Sequence, residues 1–587
     1  MLVYKAPLEE ARFLLESLGY DKVQALEPYQ DYDLDTCMAI LEQAARFCTE
    51  EMLPLNPVGD REGLKFDPET GSVTTPTGFK ALYKKFRETG LGALTAPIEY
   101  GGAGAPHIMG FAMGEMPTAT NKSFSMCPSL GHGLMASLHA YGTDEQKQTW
   151  LPKLISGEWS GTMCLTEPQC GTDLGLIRTK ATPNDDGTYN VTGTKIWITF
   201  GEHDLTENIV HLVLARLPDA PRGIKGISAF VVPKVNLDGT LNGVTCGGLE
   251  HKLGINASPT CVINLEDSKG YLIGEPHRGM RSMFVMMNSA RLTVGLEGVS
   301  LSEIAYQTAL AFAKDRRQMR ALNPERRDPD HAADCILVHP DVRRMLLNIK
   351  STTEGMRALG FWLGMKLDLA HAHPDEAARQ EADDLVALLT PVVKSYFTER
   401  GFENVNTALQ VCGGAGYTTD WPIEQYLRDV RIAPIYEGTN HIQALDLVGR
   451  KLPKAGGRLM RGFANEVQGF VKSCADEPRM AEFLEPLGGA SDLLTNLTMQ
   501  LAQKGMADPE EAGAVASNYL NVFALSALAY IWCVQAREAL DRDDRLGRTK
   551  LKTARYFMHN VLPEIHGLAA VIRAGKQHMM DFDQDEL

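Results

Sequence analysis

Cys164-Leu165-Thr166-Glu167-Pro168-Gln169-Cys170-Gly171-Thr172-Asp173 marks the point at which the patterning of the chain changes. Pro168 and Gly171 favour an irregular turn, which exposes backbone N–H groups and hydroxyls at the edge of the downstream segment. Upstream, from Leu34 to about Leu154, apolar residues recur at helical spacing, as in Met38, Leu41, Ala45 and Cys48. Downstream, short alternating runs bounded by turn residues predict antiparallel strands over 189–199, 209–215, 227–233 and 261–265. From Met280 to Ala313 helical period returns with few breakers, and helices continue to about Lys451. Beyond the breaker-rich 453–457, faces such as Val522, Leu525, Ala529 and Trp532 predict more helix. The expected fold class is α+β, in five parts: an N-terminal extension (1–37), a helical domain (38–160), a β domain (161–279), a helical bundle (280–450) and an additional all-α domain (451–587).

The 587 residues are 44% hydrophobic and 22% charged, ample for several packed domains. Lys plus Arg number 58 against 74 Asp plus Glu, and the net charge of −16 repels a phosphate backbone, so no nucleic-acid partner is expected. Met1 to Arg12 does not read as a secretory signal, and no run of about 18 apolar residues is apparent, so no membrane span is expected. The 11 cysteines offer neither metal-ligand spacing nor a disulfide framework, which predicts no metal site and a reducing, cytoplasmic setting. Neither G-x-x-x-x-G-K-[ST] nor G-x-G-x-x-G occurs, so any nucleotide cofactor must be held by another geometry.

Three further stretches carry ligand-facing chemistry. In Lys195-Ile196-Trp197-Ile198-Thr199, strand alternation puts Trp197 and Thr199 on one face, where an aromatic ring beside a hydroxyl suits a planar heteroaromatic ligand. Gln410-Val411-Cys412-Gly413-Gly414-Ala415-Gly416-Tyr417 ends a helical run with glycines that permit close approach of a backbone or phosphate. In Ile435-Tyr436-Glu437-Gly438-Thr439-Asn440-His441-Ile442-Gln443, Gly438 allows a tight bend and Thr439 can cap the next helix. Glu437 at that bend could simply offset a helix dipole, but beside the other stretches it reads as a catalytic carboxylate.

These motifs, in this order, resemble the acyl-CoA dehydrogenase flavoprotein family over about residues 38–450, and Tyr4-Lys5-Ala6-Pro7-Leu8 with the extra C-terminal helices resembles its long bacterial branch. The resemblance implies the acyl-CoA dehydrogenase fold, FAD bound with help from a neighbouring subunit, and an acyl-CoA thioester stacked on the flavin. Carried over by position, Leu165, Thr166, Gly171, Thr172, Trp197 and Thr199 would hold FAD from one subunit. Arg316, Gln318, Gln410 and Gly414 would reach it from the partner, with Thr439 and His441 beside it. Glu437 would be the base, and Asn288, Arg291, Tyr436 and Gly438 would contact substrate. The base that some relatives place before the long-helix Arg is absent here, where Ala290 precedes Arg291. The usual Asp-Arg-x-Gln-Phe-Gly reads Asp315-Arg316-Arg317-Gln318-Met319-Arg320.

The family's reaction removes an α-proton and a β-hydride from the acyl group, with electron-transferring flavoprotein as acceptor. A homodimer is expected if the extra helices substitute for a second dimer. Two alternatives are an acyl-CoA oxidase, which uses oxygen, and a nucleic-acid-binding relative. The second calls for a basic C-terminal domain, whereas residues 451–587 carry 16 Lys plus Arg against 18 Asp plus Glu.

Overall fold

Strands and helices follow the period of their apolar residues, as the sheet makes clearest. The computed structural model describes residues 2–587, apart from the side chains of 285–289, so the expected contact of Asn288 lies outside the described residues. Two compact units emerge, one from 1–42, 106–115 and 291–587, the other from 43–105 and 116–290.

The second unit holds the sheet. A short hairpin, β1 (Lys65–Asp67) and β2 (Ser72–Thr74), precedes it. The main sheet comprises β3 (Trp159–Cys164), β4 (Lys180–Pro183), β5 (Tyr189–Thr199), β6 (Asn208–Arg216), β7 (Ile227–Pro233), β8 (Val244–Leu249) and β9 (Thr260–Ile273). Pairings run β6–β4–β5–β9–β7 and back to β6, closing a ring to which β3 and β8 attach. The expectation of an antiparallel sheet is corrected at β6, which pairs parallel with both β3 and β4.

β6 shows why this sheet needs a core on each side. Val210, Leu212 and Leu214 pack with Leu134, Trp150 and Leu151 of the helical layer, while Val213 and Ala215 pack with Phe230, Val191 and Ile263. Period-two alternation with both faces apolar is the signature of a doubly covered strand. β3, β4 and β8 escaped notice because each is short and rich in Thr, Ser, Gly or Pro.

The first unit is helical. Its long helices are Pro340–Ala372 and Glu376–Gly416, with the C-terminal part of Gly279–Asp315. The N-terminal extension is not a loose arm: Leu8–Ser17 is a helix burying Phe13, Leu14 and Leu15. The added C-terminal helices include Arg458–Ser473, Ala481–Ala507 and Pro509–Ala539. Pro509–Ala539 passes the length and hydropathy test for crossing a membrane, which corrects the expectation that no such stretch exists, yet 94% of its apolar window is buried. It is the core helix of the unit, packed against Pro340–Ala372, Glu376–Gly416, Asn440–Asp446 and Ala481–Ala507.

Buried charge ties this unit together. Arg357 donates to Glu10 (2.9 Å), Glu115 (2.7 Å) and Glu303, and Lys550 donates to Glu10 (2.7 Å) and Glu354 (2.8 Å). Such charges are tolerated inside a protein only when paired and hydrogen-bonded, a condition the network meets.

Candidate active site

In the sheet unit, the turn at 166–173 is organised by a lysine that sequence reading did not single out. Lys195 Nζ, without exposed surface, donates to the Glu167 carboxylate at 2.8 Å and to the carbonyls of Leu165 (3.1 Å) and Leu214 (2.8 Å). Glu167 also accepts from Thr179 Oγ1 (2.6 Å) and from the N–H groups of Arg178 (2.7 Å) and Thr179 (3.0 Å). Burial alone would raise the Glu167 carboxyl, but Lys195 and these donors bring it down to about 2. The available signal was a lysine amid the apolar residues of a strand, a position it rarely occupies unless paired. With Glu167 turned inward, Gly171 and Thr172 stay exposed.

Trp197 departs from simple alternation. A bulge lies between Lys195 and Ile198 of β5, Trp197 takes φ +59°, and its side chain is 60% exposed. A large aromatic held outward on a left-handed backbone is no core residue, and bulges characteristically re-aim a side chain. Thr166, just past the end of β3, and Thr199, at the end of β5, are half-buried, and the Thr166 carbonyl accepts from Ile196 N–H at 3.0 Å.

In the helical unit, Glu437 lies on a strained bend. Its φ is +56° and that of Gly438 is +84°, and a non-glycine residue there costs on the order of 1 kcal/mol. The bend is clamped from three directions. Gln443 Nε2 donates to the Glu437 and Gly438 carbonyls (3.2 and 3.1 Å), Lys394 Nζ to the Gly438 carbonyl (2.8 Å) and Asn440 Oδ1 (3.1 Å), and Asn440 Nδ2 to Glu399 (2.7 Å). A Cβ on Gly438 would meet Gln443 Nε2 at 2.7 Å, so this clamp requires glycine. Thr439 caps Asn440–Asp446, as expected, accepting from Ile442 N–H at 3.4 Å.

Among the described residues the Glu437 carboxylate makes no hydrogen bond or ion pair, although two cations flank it. Burial raises its pKa, Arg291 and Lys394 oppose the rise, and Glu297 adds to it. Arg291 is instead paired with Asp446 at 2.9 Å, and Glu297 accepts from the Tyr436 hydroxyl at 2.6 Å. Burial lowers Lys394 to about 8, against the pull of Glu297 and Glu437. The backbone N–H of Glu437 likewise has no partner among the described residues, which leaves it available as a donor.

The remaining expected positions spread over the same unit. Arg316, Gln318, Gln410 and Gly414 are exposed, and Gly413, at φ +58°, kinks the helix end so that a Cβ on either glycine would meet nothing. His441 faces outward, with Nδ1 3.2 Å from Ser517 Oγ of Pro509–Ala539. At the altered motif, Met319 takes φ +60° and is exposed, while Arg320 donates to the carbonyls of Asp328 (2.8 Å) and His331. That arginine therefore braces the following loop.

Residues 35–158, 162–268 and 277–452 match the N-terminal, middle and C-terminal domains of acyl-CoA dehydrogenase, and residues 463–583 match "Acetyl-CoA dehydrogenase C-terminal like". The chain belongs to the acyl-CoA dehydrogenase family. It is 44% identical to a 3-methylmercaptopropionyl-CoA dehydrogenase of Ruegeria pomeroyi, covering 96% of this chain and 97% of that one. It is 33% identical to a broad-specificity linear acyl-CoA dehydrogenase of Mycobacterium tuberculosis, covering 99% of each. An acyl-CoA dehydrogenase of Bacillus anthracis solved with FAD shares the fold, with a TM-score of 0.76 at 23% identity over 94% of this chain and 90% of that one.

As an acyl-CoA dehydrogenase the chain is an oxidoreductase, and membership in this flavoprotein family makes FAD its cofactor. The residues present fit that group. The sheet unit offers an outward tryptophan, two threonines and an open glycine turn, while the helical unit offers an exposed arginine and side-chain-free backbone at 413–414, suited to a ring system and to pyrophosphate respectively.

Proposed function

We propose that this acyl-CoA dehydrogenase converts an acyl-CoA thioester to its trans-2-enoyl-CoA, with Glu437 removing the α-proton. The Glu437 carboxylate, unpaired among the described residues, carries this reading: it is half-buried, desolvation raises its pKa, and both neighbouring cations are engaged elsewhere. A base must be free to meet its proton, and a raised pKa makes it stronger. The thioester α-proton is a weak acid, so fixed donors must stabilise the enolate oxygen as it forms. The unused Glu437 N–H supplies one such donor. Bound FAD supplies the acceptor for the hydride leaving Cβ. Leu165, Thr166, Gly171, Thr172, Trp197 and Thr199 would hold it from one subunit, Arg316, Gln318, Gln410 and Gly414 would reach it from a homodimeric partner, and Thr439 and His441, on the loop that carries the base, would lie beside it.

Electron-transferring flavoprotein is the proposed acceptor in place of oxygen. The extensive identity to the Ruegeria pomeroyi enzyme supports a short thioether acyl group as the first substrate to try. Turnover over butyryl, octanoyl, palmitoyl and 3-methylthiopropionyl thioesters, with hydrogen peroxide measured alongside dependence on electron-transferring flavoprotein, tests the reading. Stoichiometric peroxide would move the chain to the oxidases, and no enoyl product from any thioester would overturn the reading.

A further inference from the structure

Two cations border Glu437, yet neither closes on it. Lys394 is held by the Gly438 carbonyl and Asn440. Arg291 is more telling, because its guanidinium lies beside the base bend: Nη2 is 3.8 Å from where a Gly438 Cβ would stand. A free guanidinium in that place would form a charge-assisted pair with the nearest carboxylate. Its Nη1 is instead taken by Asp446 at 2.9 Å, with both side chains only 4% exposed. Among the described residues Arg291 Nε is buried without a partner, so the guanidinium leaves one donor unfilled while it keeps this orientation. Asp446 is itself fixed from the other side by Arg450 Nε at 2.7 Å.

We propose that Asp446 is a positioning residue for the reaction: by sequestering Arg291 it prevents an Arg291–Glu437 ion pair and leaves the base carboxylate free to take the substrate proton. This rests on Glu437 being the base. The logic is competition for one cation. A carboxylate paired to arginine is acidified and sterically occupied, and both effects weaken a base. Asp446 is the last residue of the short helix Asn440–Asp446, which begins at the same bend, so one element sets both the base and the group that protects it. The other charged or titratable groups facing this region are Glu297 and Lys394 from the long helices, with Glu399, Tyr436, Arg450 and Lys451. The Pro509–Ala539 helix meets the segment through Ser517 and Gly513.

The test compares Asp446→Asn, Arg291→Gln and Glu437→Gln as flavin-loaded full-length enzymes. The readouts are the pH dependence of turnover on butyryl-CoA and an infrared titration of the carboxylate that vanishes in Glu437→Gln. Asp446→Asn frees Arg291 to pair with Glu437. The acid limb and the infrared midpoint should both move down by about one pH unit, and limiting turnover should fall about tenfold. Arg291→Gln removes the cation, so both midpoints should move up. If Asp446→Asn fails to fold, the double variant Asp446→Asn/Arg291→Gln, which strands no buried charge, should match Arg291→Gln in both midpoints, and a downward shift from Arg291→Gln to the double variant would count against the proposal. Unchanged midpoints in both variants, or shifts of the same sign, would overturn it while leaving Glu437 as base. Substantial turnover in Glu437→Gln would instead remove the base assignment.

Discussion

Glu10, on the first helix of the chain, and Lys550, near its end, meet at 2.7 Å inside the protein. Burial by itself would raise the Glu10 carboxyl, but Lys550 and Arg357 pull it down to about 2. Removing one partner of a buried pair strands the other, at roughly 3–5 kcal/mol. Lys550→Met should therefore lose about that much unfolding free energy at pH 7, measured by denaturant titration. A carboxylate depressed in the folded state stabilises above its unfolded value of 4.5, and that stability drains away as pH falls toward about 2. The gap between the wild type and the variant should narrow over that window.

Glu437→Gln should keep its fold and flavin while losing dehydrogenation by about 10²–10⁴-fold, because one essential proton transfer is gone. Stopped-flow bleaching of the flavin by acyl-CoA checks this directly, and near-normal bleaching would exclude the residue as base.

Trp197→Ala should lower flavin retention without lowering the melting temperature, since the side chain is exposed on its bulge and supports no core. The flavin-to-protein absorbance ratio after gel filtration, read beside a thermal melt, separates the two effects. A large drop in melting temperature with flavin unchanged would make it a structural residue.

Lys195→Met should damage both properties together. It leaves Glu167 buried without its cation and frees the carbonyls of Leu165 and Leu214, so the turn at 166–173 loses its scaffold. Stability should fall by about 3–5 kcal/mol, and flavin should wash out at lower denaturant concentration than in Trp197→Ala. Glu167 is held at about 2, so this stability too is present above 4.5 and lost as pH falls from there.

Where patterning was strong, sequence and structure agree closely. β5 and β7 run over Tyr189–Thr199 and Ile227–Pro233 as their alternation predicts, and Gly279–Asp315 extends the expected helix by a residue or two at each end. What escaped reading depends on partners distant in sequence. The parallel pairing of β3 with β6 joins residues about 49 positions apart, which no local period encodes. In the site, the glycine bend at 437–438 was legible from its motif, whereas Asp446, Lys394 and Lys195 were not, because each matters through a contact that only folding creates. The bulge at Trp197 was hidden for a related reason, since an extra residue in one strand shows itself only against the register of the other.

The 540 positions separating Glu10 from Lys550 also set a timetable. At about 5–20 residues per second of synthesis, the opening helix emerges roughly half a minute to two minutes before its closing partner exists. Pro340–Ala372, which this helix also touches, is made earlier, but Pro509–Ala539 and the Arg542 and Lys550 cations over the Phe13 ring come late, so through much of that interval the helix is only partly covered, and ribosomes stalled short of residue 509 should carry it bound to a holdase chaperone.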